Sequence, residues 1–362
     1  MQLIFLYIFL PVLSFPAIFE SLIGDDMRMV ITISASLCIA ILSILSRYRV
    51  AAVAIQLFAV LNIISIEIIY QYSSFLYAPL LGILAAFYIK NKLNEVVNVL
   101  YVFYVLNFIT IIISIFIGID IQVGRSTGEF YNNGIFGYAK STAEFILISL
   151  LWVRNYRNVL FITFPSAVFS GVRAAWLGVG FFIVINYFSK NKSQSREIIK
   201  STIIIIIAII TYAYLNSQEY IQFHRTGSLL NLESRSYYFR YEMWQEHLNC
   251  FISLPILNVF LGSGQYCSSI IGNGAENHYI SLFNYYGLIF SLIYFMIMFF
   301  IVYKIITDKK FRKYFWPILV IFLVSMIARM PMAFVSWMLI ASLLLLYYEK
   351  NFKYLDKLIF TR

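Results

Sequence analysis

The sequence GSLLNLESRSYYFRYEMWQEHLNCFISLPILNVFLGSGQYCSSIIGNGAENHYISLFNYYGLIF forms residues 227–290 and is flanked by long apolar runs. It is the one long part of the chain that is too polar to lie in the hydrocarbon core of a bilayer. It holds a Gly-Ser-Gly turn at residues 262–264 and the cationic residues Arg235, Arg240, His247 and His278, with Arg225 just before it. This concentration of polar side chains marks the candidate functional region.

The composition of the whole chain indicates a membrane protein. Hydrophobic residues make up 61% of the 362 residues, charged residues only 12%, and the mean hydropathy is +0.82. A globular surface needs more charge than this. At about 20 residues per helical span, the length allows roughly 12 crossings and one sizeable loop. The sequence therefore predicts an all-α fold, with about 12 transmembrane helices in a single integral-membrane domain, residues 1–362.

The polar breaks between the apolar runs alternate in charge. Assigning alternate breaks to alternate sides places most of the 27 Lys and Arg residues on one side, which the positive-inside rule identifies as the cytoplasm. Both termini are then cytoplasmic, and the large loop, about residues 217–277 between spans nine and ten, faces outwards. Because the net charge of +10 follows topology, it does not indicate a nucleic-acid partner. Two short runs, residues 159–170 and 174–188, are predicted as two spans or as one re-entrant pair.

The basic residues assigned to the outer side are almost all arginine. Topology requires only positive charge, so this preference needs another cause. A guanidinium group binds phosphate oxygens bidentately, whereas an ammonium group acts as a point charge. The pattern favours an anionic ligand bearing phosphate or carboxylate, and the alternative is pairing with outward acidic residues. The outward set is Arg28, Arg125, Lys140, Arg173, Arg225, Arg235, Arg240 and Arg329.

Two settings distinguish particular arginines. Arg173 lies at the tip of a turn between two apolar runs, where a charge at membrane depth is costly and usually functional; the alternative is an interfacial arginine beside Trp176. Arg235 and Arg240 lie in a segment whose apolar and aromatic positions 237, 241, 244 and 248 follow helical spacing. This spacing predicts an amphipathic helix on the membrane surface, which could serve only to anchor the loop.

His278 lies at the predicted outer mouth of span ten, beside a glycine-rich turn. A histidine there can take a proton from a hydroxyl group near neutral pH, and Glu276 or Asn277 could orient it. The alternative is a hydrogen-bonded structural histidine. Neither the three histidines nor the three cysteines suggest a metal site. Cys250 and Cys267 could pair if their loop faces an oxidising compartment, and the sequence leaves this open.

Several short motifs occur in an order that resembles the O-antigen polymerase and O-antigen ligase superfamily of bacterial envelope enzymes. The matching segments are TGEFYNNG (127–134), SGVRA (170–174), Ser234-Arg235 with Trp244, LGSG (261–264), NHYISL (277–282) and YGL (286–288). The resemblance covers roughly residues 120–290. Two positions depart from the family pattern: Asn277 precedes the histidine instead of following it, and Asn133 stands where the family has proline.

The resemblance implies an inverting, metal-independent transfer of a glycan from undecaprenyl diphosphate to a sugar hydroxyl, on the periplasmic face of the bacterial inner membrane. No cofactor is expected. Arg173 and Arg235 are assigned to the diphosphate, with Arg125, Arg240 and Arg225 as further ligands, and His278 to the acceptor hydroxyl. Arginines placed against the departing diphosphate would stabilise the transition state more than the ground state. Tyr237, Tyr238 and Tyr241 are predicted to stack on sugar rings.

The expected activity is that of a polymerase, which joins lipid-linked repeat units to one another. The expected partners are the lipid-linked oligosaccharide, membrane lipid, and a chain-length regulator and flippase in the same membrane. A ligase that moves the finished chain onto lipid A core is the first alternative. A flippase for lipid-linked oligosaccharides and a structural membrane protein without chemistry are the others.

Overall fold

The computed structural model describes most of the chain. The described residues are 9, 10, 13, 24–70, 78–117, 121–123, 130–132, 139–153, 155, 156–170, 172–189, 235–272, 274, 275, 277–325 and 334–360. The helices, in chain order, are α1 (Asp25–Ile44), α2 (Arg49–Tyr70), α3 (Ala78–Ile89), α4 (Leu93–Ile117), α5 (Ala139–Ser149), α6 (Tyr156–Asn158), α7 (Phe164–Phe169), α8 (Arg173–Ser189), α9 (Arg235–Ile252), α10 (Ile256–Leu261), α11 (Tyr266–Ile271), α12 (His278–Thr307), α13 (Lys309–Ser325), α14 (Phe334–Tyr348) and α15 (Phe352–Phe360).

Helices dominate the described residues, as the sequence predicted. A 3₁₀ turn, Lys90–Lys92, joins α3 to α4, and a π-helical turn, Val159–Thr163, precedes α7. The only strands in this part of the chain, β1 (Ile121–Val123) and β2 (Phe130–Asn132), form a short antiparallel pair. Two described helical runs, Pro79–Ile113 and His278–Thr307, are long and apolar enough to cross a membrane. The twelve-span arrangement remains a prediction; the predicted ninth span, about residues 201–215, lies outside the described residues, and the first apolar run, about residues 3–19, is described only at residues 9, 10 and 13.

The chain divides into two compact units. The first comprises residues 1–96 and 235–357, and the second comprises residues 97–234 and 358–362. In the first unit α3 packs closely on α14, because Gly82 lets the two backbones approach. A Cβ atom at Gly82 would lie 2.5 Å from the carbonyl oxygen of Phe334. Small residues at such a crossing are typical of helix pairs in membranes. The sequence predicted that residues 1–362, and so both units, form a single membrane domain, and this stays a prediction.

In the second unit, a break separates α7 from α8 where the sequence predicted a hinge. The Ser170 hydroxyl donates to the carbonyl oxygen of Ala167 at 2.8 Å and accepts from the backbone N–H of Val172 at 3.4 Å. The Trp176 indole N–H donates back to the carbonyl oxygen of Val168 at 3.0 Å, which ties α8 to α7. Arg173 is the first residue of α8, and its side chain lies outside the described part of the structure.

Helix α12 is a hairpin and not a straight rod. Gly287 has φ 71° and ψ −175°, which breaks the helix. The ring of His278 lies 5.2 Å from that of Tyr294, whereas a straight helix would separate these residues by about 24 Å. The ring of Tyr279 likewise lies 5.6 Å from that of Phe295. The first arm, residues 278–286, therefore folds back antiparallel along the second arm, residues 288–307.

The hairpin corrects the predicted position of His278. The sequence placed this residue at the outer mouth of one continuous span, whereas the structure places it beside Tyr294, well inside the second arm. The second arm alone is about 30 Å long at 1.5 Å per residue, which matches the hydrocarbon thickness of a bilayer. The first arm is thus a separate helical segment that packs back along the second arm. The periodicity of the sequence does not show the reversal, because both arms are apolar helices and a single glycine separates them.

At the opposite end of the second arm, polar breaks that the sequence assigned to one side lie together in the first unit. The Glu349 carboxylate accepts from Arg47 at 2.6 Å, from the Tyr48 hydroxyl at 2.6 Å and from buried Lys90. Asp308, which follows the second arm, accepts from the Tyr347 hydroxyl at 2.7 Å. These contacts join the α1–α2 turn, the 3₁₀ turn, the end of α12 and the end of α14, while the assignment of this end to the cytoplasm stays a prediction.

Candidate functional site

His278 begins the first arm of the α12 hairpin and is completely buried. Its ring contacts Tyr294 edge-on at 5.2 Å and Tyr279 at 5.8 Å between centroids. Tyr294 in turn packs against Trp337 of α14 at 5.5 Å. The candidate catalytic histidine therefore sits in an aromatic enclosure built by α12 and α14. Such an enclosure excludes bulk water and strengthens electrostatic interactions inside it.

Asn277 caps the first arm. Its side-chain oxygen accepts hydrogen bonds from the backbone N–H groups of Tyr279 at 2.9 Å and Ile280 at 3.2 Å. Asparagine is among the preferred N-cap residues because it satisfies donors that the helix leaves unpaired. The sequence suggested that Asn277 could orient His278 directly. The cap bonds show Asn277 fixing the backbone on which His278 stands, and a direct effect on the His278 ring stays a prediction.

Tyr279 fastens the first arm to α13. Its hydroxyl donates to the carbonyl oxygen of Phe322 at 2.8 Å and accepts from the Ser325 hydroxyl at 2.9 Å. A backbone carbonyl in the last turn of α13 and the serine that ends this helix thus both bond to the tyrosine. Because Tyr279 adjoins His278, this pair of bonds limits movement of the start of the arm.

The tip of the hairpin interlocks with the LGSG turn. A Cβ atom on Gly262 would lie 2.2 Å from the carbonyl oxygen of Tyr285, and one on Gly287 would lie 2.3 Å from the backbone nitrogen of Gly262. Both glycines have positive φ, at 93° and 71°. The backbone N–H of Ser263 also donates to the carbonyl oxygen of Asn284 at 2.7 Å. Two motifs that are separate in the sequence, 261–264 and 286–288, therefore form one contact that only glycine permits.

The LGSG turn leads into α11, which a disulfide joins to α9. The bond links Cys250 and Cys267, whose Cα atoms are 5.9 Å apart. The Ser268 hydroxyl also lies 3.0 Å from the Tyr285 hydroxyl of the first arm. The sequence did not decide whether these two cysteines pair, and in the structure they form a disulfide. Disulfides persist mainly in oxidising compartments, which agrees with a loop outside the cytoplasm.

A second histidine, which the sequence did not single out, also contacts the first arm. His247 of α9 is completely buried, and its Nδ1 atom lies 2.9 Å from the side-chain nitrogen of Asn284. An amide nitrogen can only donate, so Nδ1 of His247 is the acceptor in this contact. The bond links α9, the helix that begins at Arg235, to the arm that begins at His278. Helical spacing could have indicated that the His247 side chain faces the protein interior, because buried Met243 lies one turn before it on the same face of α9.

The first arm carries a row of buried polar side chains. His278, Ser281 and Asn284 recur at helical spacing and are at most 1% exposed. Ser281 Oγ and Asn284 Oδ1 have no hydrogen-bond partner among the described residues. An unsatisfied buried polar atom costs about 1–3 kcal/mol, so native structures rarely keep one without a reason. In a chain this apolar, such a row marks the first arm as a candidate functional site.

The side chains of most predicted ligand residues lie outside the described part of the structure. Tyr241 is 57% exposed and accepts from the side-chain nitrogen of Gln245 at 2.9 Å. Arg235, Arg240, Tyr237 and Tyr238 belong to α9, but their side chains lie outside the described part; Arg125, Arg225 and Glu276 lie outside it altogether. Arg173 belongs to the second unit. The assignment of these side chains to a diphosphate therefore stays a prediction.

Helix α9 has the two faces that the sequence predicted for an amphipathic helix. Met243 and His247 are buried against the first unit, while Tyr241, Leu248 and Ile252 are exposed apolar residues. An exposed apolar face opposite a packed one is typical of a helix at a membrane surface. Among the described residues, no group of three His, Cys, Asp or Glu side chains is arranged to hold a metal ion.

No protein-family profile, curated protein or solved structure matches this chain. The fold and site define a helical protein with two helices suited to crossing a membrane and a buried, histidine-bearing arm beside one of them.

Proposed function

We propose that this chain is a polytopic inner-membrane glycosyltransferase that polymerises undecaprenyl-diphosphate-linked repeat units on the periplasmic side. The observation that carries the proposal is buried His278 on a re-entrant arm, held by the contact between the LGSG turn and Gly287. Irregular backbone at membrane depth is tolerated where it is buried in protein or lines a cavity. The family resemblance supplies the substrate class, and the contact between LGSG and YGL explains why two of its motifs occur together.

The orientation of the site is part of the proposal. The Cys250–Cys267 disulfide and the His278 arm belong to the loop side of the second arm, while Lys90, Arg47 and Glu349 lie together at its other end. A basic cluster on one side and a disulfide on the other agree with a cytoplasmic and a periplasmic face. Both termini are then cytoplasmic.

The chemistry follows from these roles. The hydroxyl oxygen of the acceptor sugar attacks the anomeric carbon of the donor, a new C–O glycosidic bond forms, and the bond from that carbon to the diphosphate oxygen breaks. His278 orients the hydroxyl and takes its proton, which later passes to water. Undecaprenyl diphosphate leaves with the bonding electrons, and Arg173 and Arg235 bind the charge that develops on it. Arg125, Arg240 and Arg225 add positive charge around the diphosphate. The tyrosines of α9, Tyr237, Tyr238 and Tyr241, bind sugar rings.

The test is polymerisation by the purified full-length protein, supplied with a defined undecaprenyl-diphosphate repeat unit and a metal chelator. The expected result is a ladder of longer lipid-linked glycans. His278→Ala, Arg173→Ala and Arg235→Ala should abolish the ladder without loss of protein, and Arg→Lys variants should recover little, because lysine cannot bind phosphate bidentately. Wild-type protein that makes no glycosidic bond under these conditions contradicts the proposal.

A deletion strain separates the polymerase from its alternatives. Loss of a polymerase leaves a single repeat unit on lipid A core. Loss of a ligase leaves core without any repeat unit. A flippase would move the lipid-linked unit between leaflets without forming a bond, so the purified protein would yield no ladder. Reporter fusions within residues 217–277 should show a periplasmic location, and a cytoplasmic location would contradict the orientation.

A further inference from the structure

The polar row on the first arm of α12 continues beyond the residue assigned to chemistry. Ser281 and Asn284 follow His278 towards the hairpin tip, and side chains at such spacings lie on neighbouring turns of one helix face. Both are at most 1% exposed. The side-chain nitrogen of Asn284 is used by His247 at 2.9 Å, which leaves its oxygen free to accept.

Ser291, on the second arm, shows what a structural serine looks like in this helix. It is also completely buried, but its hydroxyl donates to the carbonyl oxygen of Gly287 at 2.7 Å. Serine hydroxyls in apolar helices commonly donate to a backbone carbonyl one turn earlier in the same helix. The Ser281 hydroxyl has no such bond among the described residues. The Ser281 hydroxyl is therefore able to bond to a ligand, whereas the Ser291 hydroxyl is already used.

We propose that Ser281 and Asn284 form a polar subsite that receives hydroxyl groups of the acceptor sugar beside His278. This proposal rests on the proposed function. Ser281 Oγ can donate and accept, Asn284 Oδ1 accepts, and neither carries charge, so the subsite suits a neutral polyhydroxyl ligand and not the diphosphate. His247 bonds to the side-chain nitrogen of Asn284, and the Ser263 backbone N–H donates to the Asn284 carbonyl oxygen, so that both fix the position of this residue.

The subsite is closed in this structure by helices that pack on the arm. Both α9 and α10 contact α12. A ligand therefore reaches Ser281 only when this cover separates from the arm. The hydroxyl groups that enter would replace the missing hydrogen bonds of Ser281 and Asn284, so that acceptor binding favours the opened arrangement.

Cysteine labelling in native membranes tests the subsite without reference to activity. In a Cys38→Ser background with the disulfide intact, Ser281→Cys, Asn284→Cys and Ser291→Cys are each treated with the impermeant thiol reagent MTSET. The cysteine thiolate attacks the reagent's sulfenyl sulfur, a mixed disulfide forms and methanesulfinate leaves. We expect labelling of Ser281→Cys and Asn284→Cys at least tenfold faster than Ser291→Cys, and slower than the exposed position Gln265→Cys. Equal rates at positions 281 and 291 overturn the proposal.

The ligand is then identified by protection. Added undecaprenyl-diphosphate repeat unit should slow labelling at position 281 at least fivefold, and fast labelling without protection would show a water-filled track and overturn sugar binding. In the polymerisation assay, Ser281→Ala should raise the KM for the lipid-linked unit about fivefold with kcat little changed, and Ser291→Ala should change neither. Labelling with protection, but no ladder from wild-type protein, would keep the subsite and reject the polymerase.

Discussion

Replacing Gly287 by alanine tests whether the hairpin of α12 depends on glycine. Its φ of 71° and ψ of −175° lie in a region that other residues hardly occupy, at a cost of about 1–3 kcal/mol. The new methyl group would also lie 2.3 Å from the backbone nitrogen of Gly262 and 2.4 Å from the carbonyl oxygen of Phe260. Overpacking of this kind costs about 1–3 kcal/mol, so the variant should lose roughly 2–6 kcal/mol in total.

Gly24 provides a matched control. Its φ of 79° and ψ of 161° are similar, but no atom of the described residues lies within 4 Å of the position a Cβ atom would take. Gly24→Ala should therefore show only the backbone cost of about 1–3 kcal/mol. The difference between the two variants isolates the contact between the hairpin tip and the LGSG turn.

The assay is thermal unfolding of the purified full-length protein in detergent. The fraction that remains folded after heating is measured by size-exclusion chromatography. At about 2–4 °C per kcal/mol, the additional overpacking cost of about 1–3 kcal/mol should make Gly287→Ala unfold roughly 2–12 °C below Gly24→Ala. It should also lose polymerisation, because the arm that carries His278 loses its support. A Gly287→Ala protein as stable as Gly24→Ala would refute the interlocked hairpin.

Three further predictions concern other contacts in the first unit. The double variant Cys250→Ala, Cys267→Ala should have a free energy of unfolding about 3 kcal/mol lower than wild type, and its gel mobility should not change with reductant. A wild-type protein whose gel mobility is also unchanged by reductant would contradict the disulfide. Glu349→Gln should lower the free energy of unfolding by about 3 kcal/mol, because Lys90 stays buried without its carboxylate partner. Asp356→Asn should lower it by at most about 1 kcal/mol, because the Asp356 carboxylate pairs with exposed Lys313. Equal losses in the two variants would contradict the buried pair. The hydrogen bond from Lys313 holds the pKa of Asp356 below its usual range, so its contribution is present above the ordinary carboxylate pKa and is lost as pH falls towards the lowered value. The melting temperature of wild type should then fall further on acidification than that of Asp356→Asn, and parallel curves would contradict this linkage.

Several elements could be predicted from the sequence because local signals specify them. The helix over Arg235–Ile252 follows from helical spacing of aromatic and polar residues, and the break near Ser170 follows from a Ser-Gly pair between apolar runs. The LGSG turn could be located because glycine-rich segments favour turns. These signals lie within one or two turns of chain, where backbone preferences and burial patterns act directly.

The structure of the site could be predicted less well. His278 was identified as a candidate, but its neighbours Tyr294 and Trp337 are distant in sequence and carry no motif. His247 was passed over because its partner, Asn284, lies on another helix. In a chain that is apolar almost throughout, hydrophobic periodicity does not distinguish a protein-facing side from a lipid-facing one.

The sequence by itself determined the helical class, the apolar character of the runs and the alternation of charged breaks, because composition and the length of each run decide these features. The tertiary structure alone decided that α12 reverses at Gly287, that Cys250 pairs with Cys267, and which polar atoms of the first arm remain unsatisfied. The physical reason is that a backbone contact such as Gly262 against Gly287 requires both partners in place. A single glycine in an apolar run is compatible with a straight helix until its partner closes the turn.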